Sequence, residues 1–252
     1  MNTASNYHLV RQRIVRAARK VNRDPASVTL VAVAKSGTLG QIVELIKLGH
    51  RDFGESRVQQ LQQRITELPA ALAAENLDPA IAGDIRWHMI GHLQRNKAGA
   101  AMEASWLIHG VDSMRLAEEL ESLGQRHQKR ISALLEVNTS GEESKFGVRL
   151  PAARHLFEQF RGMSALNLVG LMTMAPQDVQ AEHARPSFVI LRELFDEIQL
   201  QSDPSPDFKH MSMGMSGDFE VAIEEGATLV RVGSAIFNSP APQPLGAAAS
   251  HR

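Results

Sequence analysis

The sequence predicts an α/β protein built as a single-domain (β/α)8 TIM barrel, and three observations carry that expectation. Strand-like segments recur at residues 28–34, 51–53, 85–90, 106–111, 131–137, 166–172, 208–211 and 228–232, the first of them a nearly continuous apolar run. Helical stretches separate most of them, the alternation that parallel βαβ units require. Eight such units fit a chain of 252 residues, and nearly continuous apolar strands are expected where helices cover one face and side chains fill the other. An open doubly wound sheet is the rival that alternation alone leaves standing, although no Gly-x-Gly-x-x-Gly follows the first strand.

Taken in order, residues 6–22 read as a helix: Leu9, Val10, Ile14, Ala17, Ala18 and Val21 recur at helical spacing, and Arg11, Arg13, Arg16, Arg19 and Lys20 fill most other positions. Val28-Thr-Leu-Val-Ala-Val-Ala-Lys35 is the first strand, closed by a lysine and followed by Ser36-Gly37-Thr38. Ile42, Val43, Leu45, Ile46 and Leu48 mark a helix that Gly49 ends. Asp52-Phe53 then leads into Gly54-Glu55-Ser56 and a helix over 58–68. Residues 69–84, with Pro69, Pro79 and Gly83, read as a helix end and a surface loop. Later helices are expected at 114–123, 151–160, 188–200 and 219–225. A barrel domain over 1–238 would leave 239–252, rich in Pro and Ala, as a disordered tail.

Charge and composition exclude several function classes. The formal net charge is −1, from 27 basic and 28 acidic residues, so no global field draws the protein to nucleic acid or an anionic membrane. Cysteine is absent, which excludes disulfides, thiolate metal sites and cysteine nucleophiles and is compatible with a reducing compartment. The N-terminus lacks a basic-then-apolar signal pattern, and no run reaches the roughly 18 apolar residues of a membrane span. A cytoplasmic protein is expected.

In a barrel, polar groups that follow the strands converge on one face. Lys35-Ser36, Gly54-Glu55-Ser56-Arg57, His88 with Gly91-His92, Asn138-Thr139, Met172-Thr173, Ser212 and Arg231 all stand there. Lys35 could be a solvated terminal charge, or an amine poised at the end of a buried strand for imine chemistry. The last strand opens into Gly233-Ser234, either a plain turn or a place where an anion can approach backbone N–H groups. An aldehyde that also carries a phosphate would use both, and pyridoxal 5'-phosphate (PLP) is the commonest such molecule. Arg231, mid-strand in an apolar run, wants an internal partner: a core carboxylate, or a cofactor ring nitrogen that an arginine would leave unprotonated. Ser216, just before Phe219, is a natural N-cap, and the same helix start could hold a phosphate. His88 and His92 are four apart with Gly91 between them and no third ligand, so no metal site is assigned. Gly141-Glu142-Glu143-Ser144-Lys145 reads as a solvated loop.

Taken together, Val31-Ala-Val-Ala-Lys35, Phe53-Gly54-Glu55, Trp87-His88-Met-Ile-Gly91-x-Leu-Gln94-x-Asn96-Lys97, Ser144-Lys145-Phe-Gly147, Gly170-Leu-Met-Thr-Met174, Ser212-Met-Gly-Met-Ser216 and Val230-Arg231-Val-Gly233-Ser234-Ala-Ile-Phe237 closely resemble the pyridoxal phosphate homeostasis protein family over residues 8–238. The resemblance implies a PLP barrel of fold type III, like the N-terminal domain of alanine racemase without its C-terminal β domain. It implies PLP held as a Schiff base on Lys35, Arg231 facing the pyridine nitrogen, Ser212, Gly233 and Ser234 on the phosphate, and His88 near the ring; Ser56 and Met213 join them as candidate cofactor contacts. Two departures stand out. The family's Thr-Lys-Pro after the lysine is Ser36-Gly37-Thr38 here, and its Phe-Gly-Glu-Asn-Tyr is Phe53-Gly54-Glu55-Ser56-Arg57.

The resemblance also implies intracellular PLP homeostasis without catalytic turnover, by a monomer whose partners are PLP and recipient apo-enzymes. The alternative is a racemase-like PLP enzyme, which needs two bases, one on each face of the substrate α-carbon. Related racemases take a tyrosine from a further C-terminal domain, whereas the one tyrosine here is Tyr7 and the chain leaves no room for that domain. A cofactor-free Schiff-base aldolase on the same barrel is a third reading.

Overall fold

In the computed structural model, which describes residues 2–142, 145–176, 180–202 and 204–238, strands and helices alternate along the chain apart from one two-residue extra strand. The chain runs α1 (Thr3–Lys20), β1 (Thr29–Val33), α2 (Leu39–Lys47), β2 (Asp52–Glu55), α3 (Val58–Ala74), β3 (Arg86–Met89), α4 (Ala98–Ala104), β4 (Leu107–Val111), α5 (Met114–Arg126) and β5 (Ile131–Asn138). It continues through β6 (Val148–Arg149), α6 (Leu150–Arg161), β7 (Leu166–Met172), α7 (Ala181–Gln201), β8 (His210–Ser212), α8 (Phe219–Glu224), β9 (Leu229–Val232) and α9 (Ser234–Phe237). The ladder β1-β2-β3-β4-β5-β7-β8-β9 is parallel throughout and closes where β9 pairs with β1. Closure removes the open-sheet alternative. Two-residue β6 lies outside the barrel and, among the described residues, pairs only with β5.

Register decides which side chains face inward. Ala32, Phe53 and Trp87 are register partners across β1, β2 and β3, as are Val33, Gly54 and His88. The first set belongs to the large core between barrel and helices, with Leu30, Met89, Ile108 and Leu135. The interior has its own smaller apolar cluster of Val31, Leu107, Leu134, Val169, Met172 and Leu229. Two apolar layers on opposite faces of one sheet explain why the strands read as unbroken hydrophobic runs.

Local signals start the helices where they are needed. The Asn2 side chain accepts the Ser5 N–H at the head of α1, and Thr38 with Gln41 forms a capping box on α2. Arg13 pairs with Glu220 and Lys20 with Glu224, tying α1 to α8 and completing the outer ring.

Several expected boundaries are corrected. The first helix begins at Thr3 and ends at Lys20, not 6–22. Helix α3 runs through Pro69 to Ala74, and α7 starts at Ala181 and contains Pro186, so each proline costs one backbone bond without ending the helix. Packing of Leu68 and Leu72, and of Ala184, Phe188 and Leu191, offsets that loss. The strand expected at 208–211 is His210–Ser212. Asp218, not Ser216, takes the N-cap position of α8. The expected tail over 239–252, and Glu143 and Ser144 of the loop, lie outside the described residues. No helix among the described residues is long and apolar enough to cross a membrane.

Candidate cofactor-binding site

Lys35 leaves β1 in a 3-10 turn, Ala34–Ser36, and is exposed at the C-terminal mouth of the barrel. The turn is fixed from two sides: Arg64 donates to the Gly37 carbonyl at 2.6 Å, and the Phe237 ring packs on Gly37 so closely that a Cβ there would lie 2.6 Å from Cδ1. Among the described residues, the Lys35 amine makes no hydrogen bond or ion pair. A lysine on a fixed turn with a free amine is a nucleophile available to a ligand.

Arg231 lies on the neighbouring strand, in register with Val31. Its guanidinium is buried, donating Nη1–H to Ser212 Oγ at 2.6 Å and Nη2–H to the Thr173 carbonyl at 2.9 Å. Burial lowers its pKa to about 10, with Glu136 and Asp218 acting in the opposite sense. No carboxylate among the described residues reaches ion-pair distance. The core-carboxylate alternative therefore fails, and the remaining N–H groups stay available to an acceptor.

The loop after β8 and the end of β9 form the third part. Ser216 Oγ accepts the backbone N–H of Gly233 at 3.2 Å and of Ala235 at 3.3 Å. Gly233 packs closely on β1, since a Cβ there would stand 3.1 Å from Val33. Ser234 opens α9 and is exposed. Backbone N–H groups whose acceptor is a neutral hydroxyl are suited to an anion.

The other candidates fall elsewhere. His88 is fully buried with both ring nitrogens engaged, Nδ1 with His109 Nε2 at 2.9 Å and Nε2 with Asp52 Oδ1 at 3.2 Å. Ser212 lies inside the barrel between Arg231 and His109. The Met213 side chain belongs to the outer core. Ser56 lines a cavity of about 180 Å³ with Arg57, His92, Gln94 and Lys97, between the loops after β2 and β3. Glu55 faces outward beneath α3, 3.5 Å from Arg64. Among the described residues no cluster of three or more His, Asp or Glu is placed to hold a metal ion.

Sequence reasoning missed Asp52, His109 and Glu136. His109 sits in the unremarkable run Leu107-Ile-His-Gly-Val111, and only the inward parity that it shares with Leu107 signals its place in the barrel interior. Glu136 is buried in β5 with Oε2 unpaired, and burial together with nearby Asp112 raises its pKa to about 7 against the pull of Arg231.

Taken together, the donor set fits PLP: a free amine for an aldehyde, a guanidinium without a carboxylate for a ring nitrogen, and backbone N–H groups for a phosphate. The closed (β/α)8 barrel is of the alanine racemase N-terminal domain class, and residues 6–240 match that family's model. Within the class, the chain belongs to the pyridoxal phosphate homeostasis protein family. The relative of that name from Aquifex aeolicus is 36% identical over 237 residues, covering 94% of this chain and 98% of the relative. The human one is 33% identical, covering 90% and 83%. PipY of Synechococcus elongatus, solved with PLP bound, superposes with a TM-score of 0.73 at 31% identity, covering 90% of this chain and 99% of PipY.

Proposed function

We propose that this barrel binds PLP through Lys35 and serves PLP homeostasis as a reversible holder of the cofactor, without catalytic turnover. The observation that carries the reading is Arg231, buried and without a carboxylate partner, beside a strand that ends in a free lysine. When bound, PLP would supply an electrophilic aldehyde carbon within reach of an amine. Lys35 supplies that amine. Arg231, which keeps its own proton, donates to the ring nitrogen and leaves it unprotonated. The Ser234 N–H and hydroxyl and the Ser216 hydroxyl take the phosphate, with the Gly233 and Ala235 N–H groups fixing Ser216 in place. Ser56 borders the mouth from its separate cavity, and Met213 packs in the outer core with its N–H on the Leu229 carbonyl.

Release needs water or a recipient's lysine to reach the linkage, and the exposed turn at Lys35 gives that access. A racemase would need a second base opposite Lys35. The single tyrosine, Tyr7, is buried in α1 against His50, which precedes β2 at the opposite end of the barrel. The same reading makes the protein a cytoplasmic monomer whose recipients are PLP-dependent apo-enzymes.

The test is to mix PLP-loaded protein with an apo-PLP enzyme and, separately, with L-alanine or L-serine. Recovery of enzyme activity without racemisation supports the reading. Racemisation at ordinary enzyme rates, about 1 s⁻¹ or faster, overturns it.

A further inference from the structure

The barrel interior holds a continuous line of polar groups. Arg231 Nη1 meets Ser212 Oγ at 2.6 Å, Ser212 Oγ meets His109 Nδ1 at 2.8 Å, and His109 Nε2 meets His88 Nδ1 at 2.9 Å. His88 Nε2 then meets Asp52 Oδ1 at 3.2 Å, and Arg86 holds both Asp52 oxygens at 2.7 and 2.6 Å. The line starts beside the proposed cofactor site and ends at the start of β2 and β3, on the opposite face. There Arg86 is half-exposed and lies against the Trp106 ring.

Hydrogen-bond chemistry gives this line one direction. An ionised carboxylate only accepts, so His88 carries its proton on Nε2. Burial disfavours the charged form of both imidazoles, so each is neutral and has one acceptor nitrogen. His88 Nδ1 is then an acceptor, His109 carries its proton on Nε2, and His109 Nδ1 accepts from Ser212. From the other end, arginine only donates, so Ser212 accepts from Arg231 and has its single proton free for His109. The two ends require the same arrangement, and it commits the single Ser212 proton to His109, leaving none to donate to a phosphate.

We propose that Asp52, His88 and His109 are positioning residues for Arg231, acting through Ser212 as a one-way hydrogen-bond relay that fixes the guanidinium against the ring of bound PLP. This inference rests on the proposed cofactor site. It reassigns Ser212 from the phosphate to the arginine, and it gives His88 a role without ring contact. It also makes the grip on the cofactor sensitive to Asp52 and Arg86, at the far end of the barrel.

Two measurements test it. The first uses the wild-type protein without cofactor, labelled with ¹⁵N-histidine: long-range ¹H–¹⁵N spectra should show His88 and His109 as neutral Nε2–H tautomers. A proton on Nδ1 of either ring would overturn the relay whatever the protein binds. The second compares His109→Leu with His109→Gln, since a glutamine can accept from Ser212 and donate to His88. His109→Leu should weaken PLP binding about tenfold, the loss of one buried bond and its partner's satisfaction, and shift the pH profile of the PLP absorbance. His109→Gln should stay within about threefold of wild type. Leu and Gln variants that bind alike and share the wild-type pH profile would contradict the relay. If the wild type forms no PLP adduct while the tautomers are as expected, the proposed function fails and the hydrogen-bond direction stands.

Discussion

Ser216 Oγ accepts the Gly233 N–H across 3.2 Å, joining the loop after β8 to the end of β9 at the mouth of the barrel. With its acceptor side occupied there and by Ala235, its own proton is free to donate outward. Ser212 has no such freedom, because it stands between Arg231 and His109.

The two serines are therefore separable with a phosphate-free analogue. Ser216→Ala should weaken PLP about tenfold, one charge-assisted bond, and leave pyridoxal unchanged. Ser212→Ala should weaken PLP and pyridoxal by similar factors. Equilibrium titrations with both ligands check this, and equal loss of both ligands in Ser216→Ala would count against the phosphate assignment.

Glu136 predicts a pH dependence of stability. Burial, with Asp112 nearby, raises its folded pKa to about 7, above the unfolded value. Its contribution is thus fully present below about pH 4.5, the ordinary glutamate range, and is lost as pH rises through about 7. Glu136→Gln removes that loss, so the variant should gain on wild type by about 2 kcal/mol between pH 5 and 8.5. Thermal unfolding at the two pH values reads the difference. A constant difference would show that the carboxyl is not strained.

Glu121 gives the opposite sign. Burial alone would raise its pKa, but the backbone N–H groups of Leu166, Ala165 and Ser164 outweigh it and hold the carboxylate at about 2. The stabilisation is present above about pH 4.3 and is lost as pH falls toward about 2. Since the group is partly solvated, Glu121→Gln should cost about 1 kcal/mol at pH 7, and about half of that near pH 3. Chemical denaturation at both pH values checks it.

Gly91 brings the loops after β2 and β3 together, since a Cβ there would overlap the Ser56 carbonyl. Gly91→Ala should cost about 2–3 kcal/mol in denaturant unfolding. Gly83→Ala, with nothing near its Cβ, should stay within about 0.5 kcal/mol.

The fold was legible because strand and helix periodicities carry opposite demands and most barrel strands are apolar runs; β2, Asp-Phe-Gly-Glu, and β8, His-Met-Ser, are not, and were placed by their position between helices. The residues that follow a strand were legible for the same reason: Lys35, Gly233 and Ser234 are where the barrel places them. Proline misled at Pro69, where tertiary packing outweighs one missing bond. The interior polar line was not legible. A histidine in an apolar run reads alike whether it packs alone or meets another, and the contact between His109 and Ser212 joins residues 103 apart in sequence. Ser212 and Ser216 illustrate the limit: the motif names both, and only the closed barrel tells which one meets Arg231.

The most direct test of the account is borohydride reduction of the protein mixed with PLP, followed by mass mapping of the modified peptide. The account predicts one reduced adduct on Lys35, with its visible absorbance lost on reduction and absent in Lys35→Ala. An adduct on another lysine, or none, would contradict it.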